Sequence, residues 1–140
     1  MKKILLLIVV VVLCIIHLGC SDDNSNAPST LAGSWELRYA FSPWTGDSIY
    51  HVGNGSGYRF TSDHYQIFSA GSLQSEGTYR VVRQMQAMTG REGYRLVFDE
   101  NFESTPQFIE ICHDTIRASF DAWDSPNETF VRYQLGSKIK

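Results

Sequence analysis

From residue 31 onward, large apolar and polar residues alternate with a period of two over short stretches bounded by Gly, Asn, Asp, Ser or Pro, the pattern of half-buried β-strands. Trp35, Leu37, Tyr39 and Phe41 share one face of a first strand, with Glu36 and Arg38 on the other. Tyr58 and Phe60 flank Arg59 in a second, and residues 64–69 make a third. Tyr79 and Val81 oppose Arg80 in residues 77–83, and Tyr94, Leu96 and Phe98 alternate with Arg95 and Val97. Residues 108–112 and 115–120 flank His113-Asp114, and residues 129–135 form the last strand. No stretch carries helical periodicity over enough length for a helix, although residues 84–89 have room for one turn.

Eight short strands joined mostly by short loops predict an all-β domain, an eight-stranded antiparallel up-and-down barrel, because closure removes the exposed edges of a flat sheet. An open β-sandwich is the alternative. The side chains expected inside are Trp35, Tyr39, Phe60, Tyr79, Phe98 and Phe120, and a barrel of this size is either packed by such side chains or holds one small ligand.

The N-terminal residues follow a different pattern. Lys2 and Lys3 precede fifteen uncharged residues, 4–18, the layout of an export signal and shorter than the roughly 18 residues of a spanning helix. His17-Leu18-Gly19-Cys20 resembles the lipobox of bacterial lipoprotein signals, matching at Gly19 and Cys20 and departing at His17 and Leu18. The resemblance implies removal of residues 1–19 and lipidation of Cys20, so that the protein is tethered to a membrane by acyl chains worth about 0.8 kcal/mol per buried CH₂. A cleaved soluble signal or an uncleaved anchor is the alternative. Ser21 in place of Asp after the cysteine implies the outer membrane, and Ser21-Asp22-Asp23 is similar to the acidic tag of Bacteroidota lipoproteins displayed on the cell surface. Residues 20–30 comprise the lipidated cysteine and a polar, flexible spacer whose ten residues, 21–30, reach at most about 35 Å. The domain then covers residues 31–136, with a short tail at 137–140.

Charge and cysteine count narrow the function. The formal net charge is −3, and loss of Lys2 and Lys3 leaves ten Lys and Arg against fifteen Asp and Glu; a basic nucleic-acid footprint is absent. With Cys14 removed and Cys20 lipidated, the sequence predicts no disulfide within one mature chain and Cys112 as a small buried hydrophobe.

Gly33-Ser34-Trp35 opening the first strand and Phe130-Val131-Arg132-Tyr133 in the last resemble the lipocalin or calycin pattern, especially the short lipocalin-like lipoproteins of Bacteroidota. The resemblance implies that Trp35 plugs the closed end of the barrel, that Arg132 lies across it as a cation–π partner worth about 0.5–2 kcal/mol, and that Gly33 is where the chain crowds the floor. His113-Asp114-Thr115 stands where the larger lipocalins carry Thr-Asp-Tyr.

With Trp35 at the closed end, strand parity assigns residues 42–54, 70–75, 99–105 and 121–127 to the open mouth, facing away from the membrane. These segments carry Trp44, Tyr50, Phe102 and Trp123 with Asp47, Asp99, Glu100, Glu103, Asp121 and Asp124, and neither Lys nor Arg. An acidic, aromatic rim disfavours anions and suits a cationic or carbohydrate ligand whose ring faces lie on the indoles. No Gly-x-Ser-x-Gly, zinc-type spacing, phosphate loop or dinucleotide fingerprint occurs. His113-Asp114 reads as a turn, and His51 falls at the opposite end from His64 and His113. The sequence therefore predicts no enzyme, no cofactor and no metal. It predicts a lipid-anchored envelope protein that binds a small molecule or glycan at the barrel mouth or, alternatively, meets another envelope protein with a filled barrel.

Overall fold

The computed structural model describes residues 31–133; the export signal, Cys20, the spacer and residues 134–140 lie outside the described residues. Nine antiparallel strands follow one another: β1 (Gly33–Ser42), β2 (Gly46–Ile49), β3 (Gly57–Phe60), β4 (His64–Ser69), β5 (Ser72–Met85), β6 (Glu92–Phe98), β7 (Gln107–Cys112), β8 (Thr115–Phe120) and β9 (Asn127–Arg132). All but β2 form a closed eight-stranded up-and-down barrel in which β9 returns to pair with β1. The stagger accumulated around the barrel is about twelve residues, which sets a steep strand tilt.

β2 is the element that the hydrophobic pattern misses. Its sequence, Gly-Asp-Ser-Ile, is short and polar, and it forms by pairing with Tyr39–Ser42 of β1, beyond Gly33–Glu36 where β3 pairs. β5 begins at Ser72, so the expected loop at 70–75 contracts to a turn at Ala70 and Gly71, with φ of +48° and +80°, the left-handed geometry that matches hairpin twist. Of residues 84–89, which had room for one turn, Gln84 and Met85 belong to β5, and the turn that follows is closed by the Gly90 N–H donating to the Gln86 carbonyl at 2.9 Å.

Register defines inside and outside. Trp35 and Leu37 of β1, Tyr58 and Phe60, Tyr65 and Ile67, Tyr79 and Val81, Leu96 and Phe98, Ile109, Ile116, Ala118, Phe120 and Phe130 occupy inward positions. Tyr39, expected inside, faces out. Leu37 pairs with Phe130 and Tyr39 with the adjacent Thr129, so Arg38 is an extra residue that reverses the facing of β1. Beyond this bulge Ala40 and Glu128 point inward while Tyr39 and Phe41 join the outer face. Inside, aromatic rings touch across the lumen: Tyr58 lies 5.3, 6.3 and 5.0 Å from Phe60, Phe98 and Phe130, Phe60 4.9 Å from Tyr79, and Tyr65 4.5 Å from Phe98.

At the floor the Trp35 indole is buried beside Leu31, and its Nε1–H donates to the Leu31 carbonyl at 2.7 Å. The Arg132 guanidinium lies 4.2 Å from the Trp35 ring, donates from Nη1 to the Ala32 carbonyl at 2.9 Å and from Nε to Asp114 at 3.1 Å. Gly33 has φ +138°, and a Cβ there would stand 2.6 Å from Arg132 Nη1. Gly33→Ala therefore displaces the guanidinium and strains the backbone; the expected loss is about 1–3 kcal/mol in urea unfolding, whereas Ser34→Ala on the outer face stays within about 0.5 kcal/mol.

Candidate functional site

The four aromatics expected at the mouth separate. Trp44, at the tip of the β1–β2 turn, is 76% exposed and Trp123, in the β8–β9 loop, is 86% exposed. The two segments leave neighbouring strands, since Phe41 pairs with Asn127. Tyr50 is half-buried behind β2, where its N–H donates to the Arg38 carbonyl at 2.9 Å. Phe102 lies on the outer wall, 5.8 Å from the Arg80 and 5.7 Å from the Arg95 guanidinium. Among the described residues no ring contact joins these four to one another.

The reason Phe102 leaves the rim is Arg95. It alternates outward on β6, yet is buried, and donates to Gln84 and to the carbonyls of Phe102 and Ser104 at 3.0, 2.8 and 3.0 Å. These bonds fold the β6–β7 loop back onto the barrel wall, where Val97 and Phe108, also outward by register, are buried as a second small core.

Most carboxylates attributed to the rim are engaged inside the protein. Asp99 accepts from the Tyr65 hydroxyl at 2.8 Å and the Thr78 N–H at 2.9 Å; burial and this bond push the Tyr65 phenol up. The Asp99 carboxylate occupies the space a Cβ on Gly77 would need. Asp121 accepts the Ala87 and Met88 N–H groups at 2.6 and 2.9 Å, tying the β5–β6 turn to the β8–β9 loop. Asp47 accepts from the Tyr39 hydroxyl at 2.9 Å, which raises that phenol, and Glu100 pairs with Arg80. These carboxylates hold loops in place rather than presenting acceptors to a ligand.

Two polar features went unnoticed in the sequence. The first is inside: Glu128 points into the upper lumen near Tyr58 and Gln107, whose Nε2 donates to the Tyr58 hydroxyl at 3.5 Å. Burial pushes the Glu128 carboxyl up; burial also raises Tyr58, against the Gln107 bond and with the Glu128 charge adding to the rise. Its signal was hidden by the β1 bulge, without which Glu128 counts as a solvent-facing residue of an edge.

The second is a cleft of about 340 Å³ on the outer wall. Glu36 lies at its base, 5% exposed, with Oε1 accepting the Gly55 N–H at 3.4 Å and Oε2 3.3 Å from Arg38 Nη2. The loop 50–56 is laid along β1 by Asn54, which donates to the Leu37 and His51 carbonyls at 2.8 and 2.7 Å and accepts the Ser56 N–H at 2.9 Å. Gly71 N–H closes the far side on the Gly55 carbonyl at 2.9 Å. Arg59, Phe68 and Tyr133 wall the cleft, with the Arg59 guanidinium 5.4 Å from the Phe68 ring. The Gly-Asn-Gly-Ser-Gly run at 53–57 was the available sign, since glycines let the loop approach β1 closely.

At the opposite end, Gly33, Trp35 and Arg132 are brought together. Cys112, half-buried at the end of β7, is disulfide-bonded rather than a lone buried thiol. The partner lies outside the described residues, and the floor, where the chain enters the barrel at Leu31, is the end at which Cys112 sits. Asp63, at the β3–β4 turn, is held below the usual carboxylate range by hydrogen bonds from His64 and Ser62. Among the described residues no group of three His, Cys, Asp or Glu gathers as a metal site, and no helix is long and apolar enough to cross a membrane.

No family model matches the chain, and neither a curated protein nor a solved structure matches it.

The Glu128 environment has a measurable consequence. A carboxyl raised by burial binds its proton more tightly folded than unfolded, so its ionised form opposes folding above the folded pKa, and that penalty vanishes as pH falls below the unfolded value. Glu128→Gln is expected to raise Tm at pH 7, and the gain over the unsubstituted protein should shrink steadily through the acidic range. A constant or reversed difference would show that Glu128 is solvated.

Proposed function

We propose that this is a lipid-anchored, non-enzymatic protein of the outer membrane, displayed at the cell surface in the manner of lipocalin-like lipoproteins, which recognises another envelope component with the outside of its barrel. The observation that carries this reading is the contrast between a lumen occupied by touching aromatic rings and two indoles, Trp44 and Trp123, left 76% and 86% exposed at the far end. Phe41, Ile49 and Val52 add exposed apolar surface on the same β1–β2 flap. Concentrated apolar surface of this kind marks interaction sites, and tryptophan is enriched where binding energy concentrates. A small molecule or glycan in the mouth is the other reading; it relied on rim carboxylates of which Asp47, Asp99, Glu100 and Asp121 are internally bonded.

Anchoring is tested by metabolic labelling with an acyl analogue. The label is expected on the native protein and absent from Cys20→Ala, with the mature chain starting at residue 20. Signal removal leaves Cys20 and Cys112, so thioether and intrachain disulfide compete for one sulfur. A mature chain with a Cys20–Cys112 peptide and no label overturns the tether. Recognition by the rim is tested with a photo-crosslinking residue at Trp44 or Trp123 in intact cells. A discrete adduct is expected there and not at His113 in the β7–β8 turn on the floor; equal labelling at all three positions overturns the assignment.

A further inference from the structure

Glu36 and Arg38 stand on the outer face of β1 as a close ion pair whose hydrogen bonding is incomplete. Glu36 Oε2 and Arg38 Nε are both buried and lack a hydrogen-bond partner among the described residues. Buried polar atoms of this kind are ordinarily satisfied, and here one acceptor and one donor are left over within a single pair. Of the pair only Glu36 lines the cleft, so an occupant must donate to its carboxylate, which a hydroxyl does and an anion cannot.

The remainder of the cleft fits a hydroxylated ring. Phe68 and Tyr133 supply flat apolar surface against which the C–H face of a pyranose packs. Ser34 and Ser56 add hydroxyls to the lining, and the glycine backbone of the 53–57 loop leaves peptide groups within reach. The charges on the lining, Glu36 and Arg59, offset one another, favouring a neutral ligand. The volume of about 340 Å³ falls within the range of small-ligand sites. We propose that this outer-wall cleft binds a neutral hexopyranose unit of a glycan, with one ring hydroxyl donating to the Glu36 carboxylate at its base. The inference rests on the barrel's exterior being the recognising surface, and it places the sugar away from both lumen and rim.

The test is saturation-transfer NMR on the full-length protein in detergent, using methyl glycosides of glucose, mannose, galactose and fucose together with N-acetylglucosamine. Transfer to the ring protons of at least one is expected. Glu36→Gln removes the acceptor charge and Ser34→Trp fills the cleft from its rim; each should weaken binding at least tenfold. The Trp44→Ala, Trp123→Ala double variant should bind as the native protein does. If Glu36→Gln does not fold by near-ultraviolet dichroism, Ser34→Trp decides, because it leaves the Glu36–Arg38 pair intact. Absence of transfer from all five sugars at tens of millimolar, binding unchanged in the cleft variants, or binding lost only with the two tryptophans overturns the proposal. So does spermidine or acetate binding the cleft where no sugar does. Rim crosslinks and acyl labelling at native levels in Ser34→Trp separate failure of this site from failure of the exterior reading.

Discussion

A sheet becomes a barrel only if its first and last strands meet in one register, and a slip of one residue there would turn every inward side chain out. In this protein the seam between β1 and β9 is locked by Arg132. Its register partner is Trp35, so the two side chains enter the floor side by side, with the guanidinium 4.2 Å from the indole. The same guanidinium reaches the Ala32 carbonyl and the Asp114 carboxylate. One side chain thus joins the chain's entry into the barrel, the first strand, the last strand and the β7–β8 turn. The crowding at Gly33 follows from this convergence, because the space where a side chain would begin is taken by Arg132.

The two ends of the barrel are secured by different chemistry. The floor relies on an arginine, an indole and backbone carbonyls. The opposite end relies on aspartates that accept from backbone N–H groups and tyrosine hydroxyls of neighbouring segments, as Asp99 and Asp121 do. Arg95 does the converse, donating to loop carbonyls and drawing the β6–β7 connection across the wall to cover Val97 and Phe108. The exposed indoles and the cleft over Glu36 lie elsewhere, on the β1–β2 flap, the β8–β9 loop and β1 itself.

Period-two alternation made the barrel legible because most strands bury one face and solvate the other; Tyr58 and Phe60 around Arg59 read correctly for that reason. The closed floor was expected only through the resemblance carried by Gly33-Ser34-Trp35 and Phe130-Val131-Arg132-Tyr133, since nothing local joins the first strand to the last. The upper end was not legible. A single extra residue at Arg38 reverses the facing of Tyr39 and exposes a polar inward position at Glu128, and nothing in the alternation marks a bulge. β2 depends on its partner strand rather than its own composition. The roles of Asp99 and Asp121 depend on contacts with residues 34 positions distant in the chain, at Tyr65 and Ala87. Glu36 and Arg95 look like solvent-facing members of alternating strands until the loops that cover them are in place.

Among the described residues, β2 is the one strand with a single partner: it pairs with β1 alone and runs only from Gly46 to Ile49. A border of this kind can template the addition of foreign chain, and brevity and a charge are the usual protections. Both are present, the charge being Asp47. So small a border offers an approaching strand little backbone to pair with and leaves the tryptophan-bearing turn next to it uncovered.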